Sequence, residues 1–163
     1  MILIIDFGSQ YNQLIARRVR EQRVYCQIEP PGISLAQIKA LSPEGIILSG
    51  GPASIYERGS PKVDPRIFDL GVPILGICYG MQYMVDALGG EVRRAGKREY
   101  GLAELHMNDS SGLFKGLGRK TKCWMSHGDT IQTVPEGFPF FRSNTILKPL
   151  LAPTIPATCL MNS

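Results

Sequence analysis

The sequence predicts an α/β domain built on an open, mostly parallel twisted sheet with helices on both faces. Three observations carry this. Four short runs, Met1 to Ile5, Val24 to Ile28, Gly45 to Ser49 and Val72 to Ile77, are nearly continuous in apolar residues, as strands covered on both faces must be. Between them lie segments with helical apolar spacing, and strands alternating with helices fold into right-handed βαβ units. Glycine and proline punctuate the junctions. The length of 163 residues, 44% hydrophobic and 20% charged, suits a single globular domain able to bury about 68–70% of its unfolded surface.

Taking the elements in order, Met1-Ile-Leu-Ile-Ile5 reads as a buried strand ending at Asp6-Phe7-Gly8-Ser9. Ser9 is the expected N-cap of a helix with Tyr11, Leu14, Ile15 and Val19 on its apolar side. Arg17, Arg18, Arg20 and Arg23 crowd the end of that helix, as a solvated face complementing the helix dipole or as a partner surface. Val24 to Ile28 is the second strand, stopped by Pro30-Pro31-Gly32; Ser34 and Gln37 have capping-box spacing before Ile38 and Leu41. The third strand runs into Ser49-Gly50-Gly51-Pro52. A short helix is expected near Asp64 to Leu70, and the fourth strand ends at Gly76-Ile77-Cys78-Tyr79-Gly80 before a helix carrying Met81, Met84, Val85 and Leu88. Beyond Glu91 shorter strands are expected at Ala103 to Met107, Lys122 to Met125 and Thr130 to Val134.

The net charge of +4 is too mild to mark a nucleic-acid or membrane-surface footprint. Cys26, Cys78, Cys123 and Cys159 form no C-x-x-C pair, so neither zinc-type spacing nor a small disulfide scaffold is expected. Asp6 cuts the first apolar run far short of a signal or membrane segment. The expectation is a cytoplasmic protein with no metal and no bound cofactor.

Gly76-x-Cys78-x-Gly80 is the thiol counterpart of the nucleophile elbow: small residues two before and two after the nucleophile permit a strained strand-to-helix turn that lifts the side chain out of the sheet's carboxyl edge. The helix amino terminus there favours thiolate. The same pattern also fits a buried structural cysteine flanked by packing glycines. Gly50-Gly51 ends a neighbouring strand, so its loop reaches the same crevice. A side-chain-free peptide there can aim an N–H at a developing oxyanion, with the Tyr79 N–H as second donor; a simple loop with positive-φ glycine is the plainer reading. Gln82 lies one helical turn beyond Cys78, for substrate contact or merely exposed. Ser126-His127-Gly128-Asp129, expected directly after a strand, suits a ligand loop or an ordinary turn. Lys97 to Gly101 is a hairpin connection or a substrate-facing loop. His106 falls on an expected strand, which leaves His127 as the base by count alone.

Together these residues resemble class I, triad-type glutamine amidotransferases, which have a flavodoxin-like core. The opening Asp6-Phe7-Gly8-Ser9-Gln10-Tyr11 and Leu14 to Glu21 are similar to the GMP synthase branch of that family. Ile47 to Pro52, Gly76 to Gln82, Arg98 to Gly101 and Trp124 to Asp129 continue the likeness over about residues 1 to 138. The resemblance implies that Cys78 forms a γ-glutamyl thioester from glutamine and releases ammonia, with Gly51 and Tyr79 N–H groups as oxyanion hole. It places Gln82, Ser126, His127 and Asp129 around the substrate, which makes His127 a binding residue rather than the base. It further implies an ATP-pyrophosphatase (synthetase) part, holding ATP and magnesium, that uses the ammonia to convert XMP to GMP.

The family's base and its orienting carboxylate lie in a His-Pro-Glu motif, and the chain contains none. Residues 1–139 are therefore expected to form the amidotransferase-like domain. Residues 140–163 are expected to be an irregular tail of frameshift or truncation origin, punctuated by Pro149, Pro153 and Pro156. Impaired glutaminase activity and an exposed apolar sheet edge are expected with it. A non-catalytic glutamine-binding module is the alternative. A nucleotide-binding flavodoxin-like protein is disfavoured by the lack of a G-x-G-x-x-G or P-loop fingerprint.

Overall fold

The computed structural model describes residues 1–106, 120–135, 140–141 and 145–148. Strands β1 (Ile2–Ile5), β2 (Cys26–Glu29), β3 (Gly45–Leu48) and β4 (Ile74–Ile77) are mutually parallel and stand in the order β2-β1-β3-β4. Each strand has a clear physical basis. The side-chain period of a strand is two, and along β1 the residues Ile2 and Ile4 bury on one face while Leu3 and Ile5 bury on the other. Ile47 and Leu75 join the first set, Ile46, Leu48 and Ile74 the second. No alternation of apolar and polar residues is possible when both faces are dry, and each aliphatic side chain so buried contributes ~1.5–3 kcal/mol.

Helix α1 (Asn12–Glu21) covers the first face through Ala16 and Val19. Helices α2 (Leu35–Leu41) and α3 (Tyr79–Ala87), with a 3₁₀ turn at Pro65–Asp69, cover the second through Ile38, Met84, Val85, Ile67 and Phe68. The capping box of α2 is present: Ser34 Oγ accepts from the Gln37 N–H at 3.3 Å and Gln37 Oε1 accepts from the Ser34 N–H at 3.0 Å. At α1 the structure differs from expectation. Ser9 is not the cap; its Oγ accepts from the Tyr11 N–H at 3.1 Å within the preceding turn, and Tyr11, expected on the apolar side, is exposed. Arg17 and Arg18 of this helix both pair with Glu21 at 3.0 Å.

Two further differences concern the second half. Strands β5 (Glu91–His106) and β6 (Lys120–Thr133) form one long antiparallel ribbon where shorter strands were expected. Ser126, His127, Gly128 and Asp129 consequently lie on a strand, not in a loop, and so does the Lys97 to Gly101 segment. Within the expected irregular tail, β7 (Phe140–Phe141) and β8 (Thr145–Lys148) extend the main sheet, β8 running antiparallel to β4. Thr145-Ile146-Leu147 is a β-favouring run whose pairing covers the edge of β4 that was expected to be open. Met107 and residues 149–163, Cys159 included, lie outside the described residues. No described helix is long and apolar enough to cross a membrane.

Candidate active site

In this strand order the chain leaves β1 toward β2 on one side and returns to β3 on the other. The crevice beyond the carboxyl ends of β1 and β3 is therefore the switch point where open α/β sheets place their sites. Three loops meet there. The Phe7 N–H donates to Ser49 Oγ at 3.0 Å, the Ser49 N–H donates to the Ile5 carbonyl at 3.0 Å, and the Gly80 N–H donates to the Ser49 carbonyl at 3.0 Å.

Cys78 occupies the junction of β4 and α3 with φ +48° and ψ −112°, a left-handed conformation that a non-glycine residue holds only under constraint. The two flanking glycines explain how it is held. A Cβ on Gly80 would stand 2.3 Å from the Leu48 carbonyl oxygen, and one on Gly76 would stand 2.7 Å from Met81 Cα. The turn is thus drawn so close to β3 and to its own helix that no side chain fits at either position. Gly50 lies directly across the crevice, where an added Cβ would be 3.3 Å from Cys78 Cβ, and one on Gly51 would collide with the Phe7 carbonyl oxygen at 2.4 Å. The elbow and the diglycine therefore stand close to each other.

Cys78 is half-buried, and burial pushes its thiol above the ordinary value. The thiol stands at the amino end of α3, which favours its charged form, while desolvation of that form by burial opposes it. Tyr79 is buried. Its hydroxyl donates to the Pro61 carbonyl at 2.6 Å, and its ring meets Phe7 edge-on at 5.2 Å. Tyr83 donates to the Val63 carbonyl, and burial raises its hydroxyl to about 12. Its ring tilts against Phe7 at 5.7 Å and Phe68 at 6.2 Å. These aromatics fix the elbow helix against the loop that follows the diglycine.

Gln82 is buried rather than an exposed helix residue, and its Nε2 donates to the Asp129 carbonyl at 3.0 Å. That bond ties α3 to β6 at Asp129, which is itself buried. Ser126 and His127 lie three and two residues before it on β6, in register with Tyr100 and Glu99 of β5. His106 is likewise on a strand, opposite Lys120. Sequence reasoning missed Ser49 as more than a strand end; a serine closing an apolar run just before Gly-Gly was the available signal. Among the described residues no group of three His, Cys, Asp or Glu is placed to hold a metal ion.

The switch-point crevice, the strained cysteine and the facing diglycine are the architecture of an amidotransferase, and the class I glutamine amidotransferase model matches residues 3–148. The chain belongs to that family. Among its relatives are the glutamine-hydrolysing GMP synthases of Heliobacterium modesticaldum, 59% identical over 137 residues, and of Bacillus pumilus, 56% identical over 138 residues. These alignments cover 84% and 85% of the chain but only 27% of each relative's length. A GMP synthase component from Thermoplasma acidophilum superposes with a TM-score of 0.74 at 31% identity, over 85% of this chain and 69% of that one. A Thermotoga maritima glutamine amidotransferase shares the fold, with a TM-score of 0.64 at 20% identity over 86% of this chain and 65% of that one.

Proposed function

We propose that this chain takes glutamine into the switch-point crevice and passes its γ-acyl group to Cys78, as the amidotransferase part of a GMP-forming system. Cys78 Sγ attacks the side-chain carbonyl carbon, and negative charge gathers on the carbonyl oxygen opposite the Gly51 and Tyr79 N–H groups. Collapse breaks the C–N bond, and ammonia leaves with the proton it needs from the thiol and solvent. Gln82, Ser126, His127 and Asp129 hold the amino-acid end of the substrate. The ammonia goes to a synthetase part, where bound ATP and magnesium serve to activate XMP for amination to GMP. Neither histidine of the chain stands in a His-Pro-Glu motif, so turnover by these 163 residues alone is expected to be slow: loss of base and orienter removes most of the rate while binding and oxyanion stabilisation remain.

The observation that carries this reading is the left-handed Cys78, held between glycines and set against Gly50. Trapping with hydroxylamine tests it. Glutamine incubated with the chain should give γ-glutamyl hydroxamate, and Cys78→Ala should give none; equal yields from both would show that the elbow is not the reacting group.

A further inference from the structure

We infer that Ser49 is the positioning residue of the oxyanion hole, its hydroxyl setting the direction of the Gly51 N–H by holding the Gly50 carbonyl. This deepens the glutamine-hydrolysing reading and rests on it. Ser49 is fully buried, so its hydroxyl acts on the backbone around it rather than on a molecule in the crevice. That hydroxyl is used on both sides: it accepts from the Phe7 N–H at 3.0 Å and donates to the Gly50 carbonyl at 2.9 Å.

The second bond carries the argument. The carbonyl of Gly50 and the N–H of Gly51 belong to one planar trans peptide and point in opposite directions. Gly-Gly is the dipeptide with the least steric preference, so on its own this peptide plane is free to rotate. Fastening its carbonyl to Ser49 removes that freedom at a peptide whose Gly50 lies across from Cys78. The first bond supplies the anchor, because Phe7 leads the loop that lies against Gly51, where an added Cβ would meet the Phe7 carbonyl at 2.4 Å. Ser49's own carbonyl takes the Gly80 N–H at 3.0 Å, so the same residue fixes the distance between the diglycine and the elbow. A preorganised donor contributes to a reaction only when it is aimed before the charge develops; Ser49 does that aiming without touching substrate.

Two reagents separate aiming from mere support. With a chloromethyl ketone built on the glutamine skeleton, the thiolate adds to the ketone and charge forms on its oxygen. The final S–C bond forms at the methylene as chloride leaves, so the reaction needs the hole. Iodoacetamide alkylates the same sulfur by direct displacement of iodide and needs no hole. Ser49→Ala should lower the chloromethyl ketone rate at Cys78 at least ~10-fold, a part of the 10²–10³-fold that one donor is worth, while the iodoacetamide rate stays within about two-fold. Ser49→Thr, which keeps both hydrogen bonds, should restore the ratio. If Ser49→Ala gives no cooperative melt, Ser49→Cys keeps the volume with a weak donor and should show the same selective loss, read on the Cys78 peptide alone. Equal falls with both reagents, or no fall with either, would overturn the inference. Failure of the wild-type Cys78 to take the ketone at all would overturn the glutamine reading itself, and the inference with it.

Discussion

Gly80→Ala sets two physical rules against each other in the elbow. Gly80 is the second residue of α3, and by helix propensity alone replacing a helical glycine with alanine stabilises by up to about 1 kcal/mol. The structure predicts the opposite sign. The new methyl would lie 2.3 Å from the Leu48 carbonyl oxygen, 2.6 Å from the Leu48 carbonyl carbon and 2.6 Å from the Ser49 oxygen, all of them backbone atoms in the sheet centre. Restoring ordinary contact requires about 1 Å of separation between α3 and β3, at an overpacking cost of about 1–3 kcal/mol. That movement also breaks the 3.0 Å bond from the Gly80 N–H to Ser49 and leaves buried groups unpaired, adding about 1–3 kcal/mol. The sum, ~2–6 kcal/mol destabilising, corresponds to roughly a 6–18 °C fall in Tm at about 3 °C per kcal/mol for a domain of this size. Thermal and urea unfolding followed by circular dichroism measure it. A Tm equal to or above wild type would refute the claim that close approach of backbones dictates glycine here.

Cys78 should alkylate with iodoacetamide along a pH profile whose midpoint lies above that of a free thiol, because burial disfavours its thiolate; a midpoint below the free value would show the helix terminus outweighing burial. Tyr83 ionises at about 12 against 10.0 when free, so the unfolded state loses this proton first and stability should fall as pH rises from about 10 to about 12. Urea titrations across that range should show a shallower decline in Tyr83→Phe. Ser34→Ala removes the acceptor for the Gln37 N–H and half of a capping box, an expected loss of ~1 kcal/mol read from the urea midpoint at unchanged m. Ile47→Ala, in a strand buried on both faces, should cost about 2–5 kcal/mol by the same assay.

Much of the fold was legible because its signals were redundant. The four parallel strands announce themselves by apolar runs that both faces demand, and the Ser34/Gln37 pair marks the start of α2 by two reciprocal bonds. The elbow was legible because glycine at 76 and 80 has a steric cause. Where one signal stood alone it misled. Ser9 resembles a helix cap, but a serine hydroxyl accepting from the N–H two residues on also closes a turn, and that is the use the chain makes of it. Gly128 and its polar neighbours read as loop, whereas β5 pairs with β6 on either side of an irregularity between Arg94 and Glu99 and so carries them within a strand; strand preference depends on partners more than on composition. β8 was hidden for the same reason, since its partner β4 lies about 70 residues earlier in the sequence. The thiol's upward shift and the burial of Gln82 are properties of packing, which no local pattern encodes.

The most direct test of the central claim is competition at the sulfur. The account predicts that a glutamine-shaped chloromethyl ketone adds once, on Cys78, and that excess L-glutamine suppresses the adduct in peptide mass maps. Adduct on Cys26, Cys123 or Cys159 instead, or on Cys78 at a rate indifferent to glutamine, would contradict it.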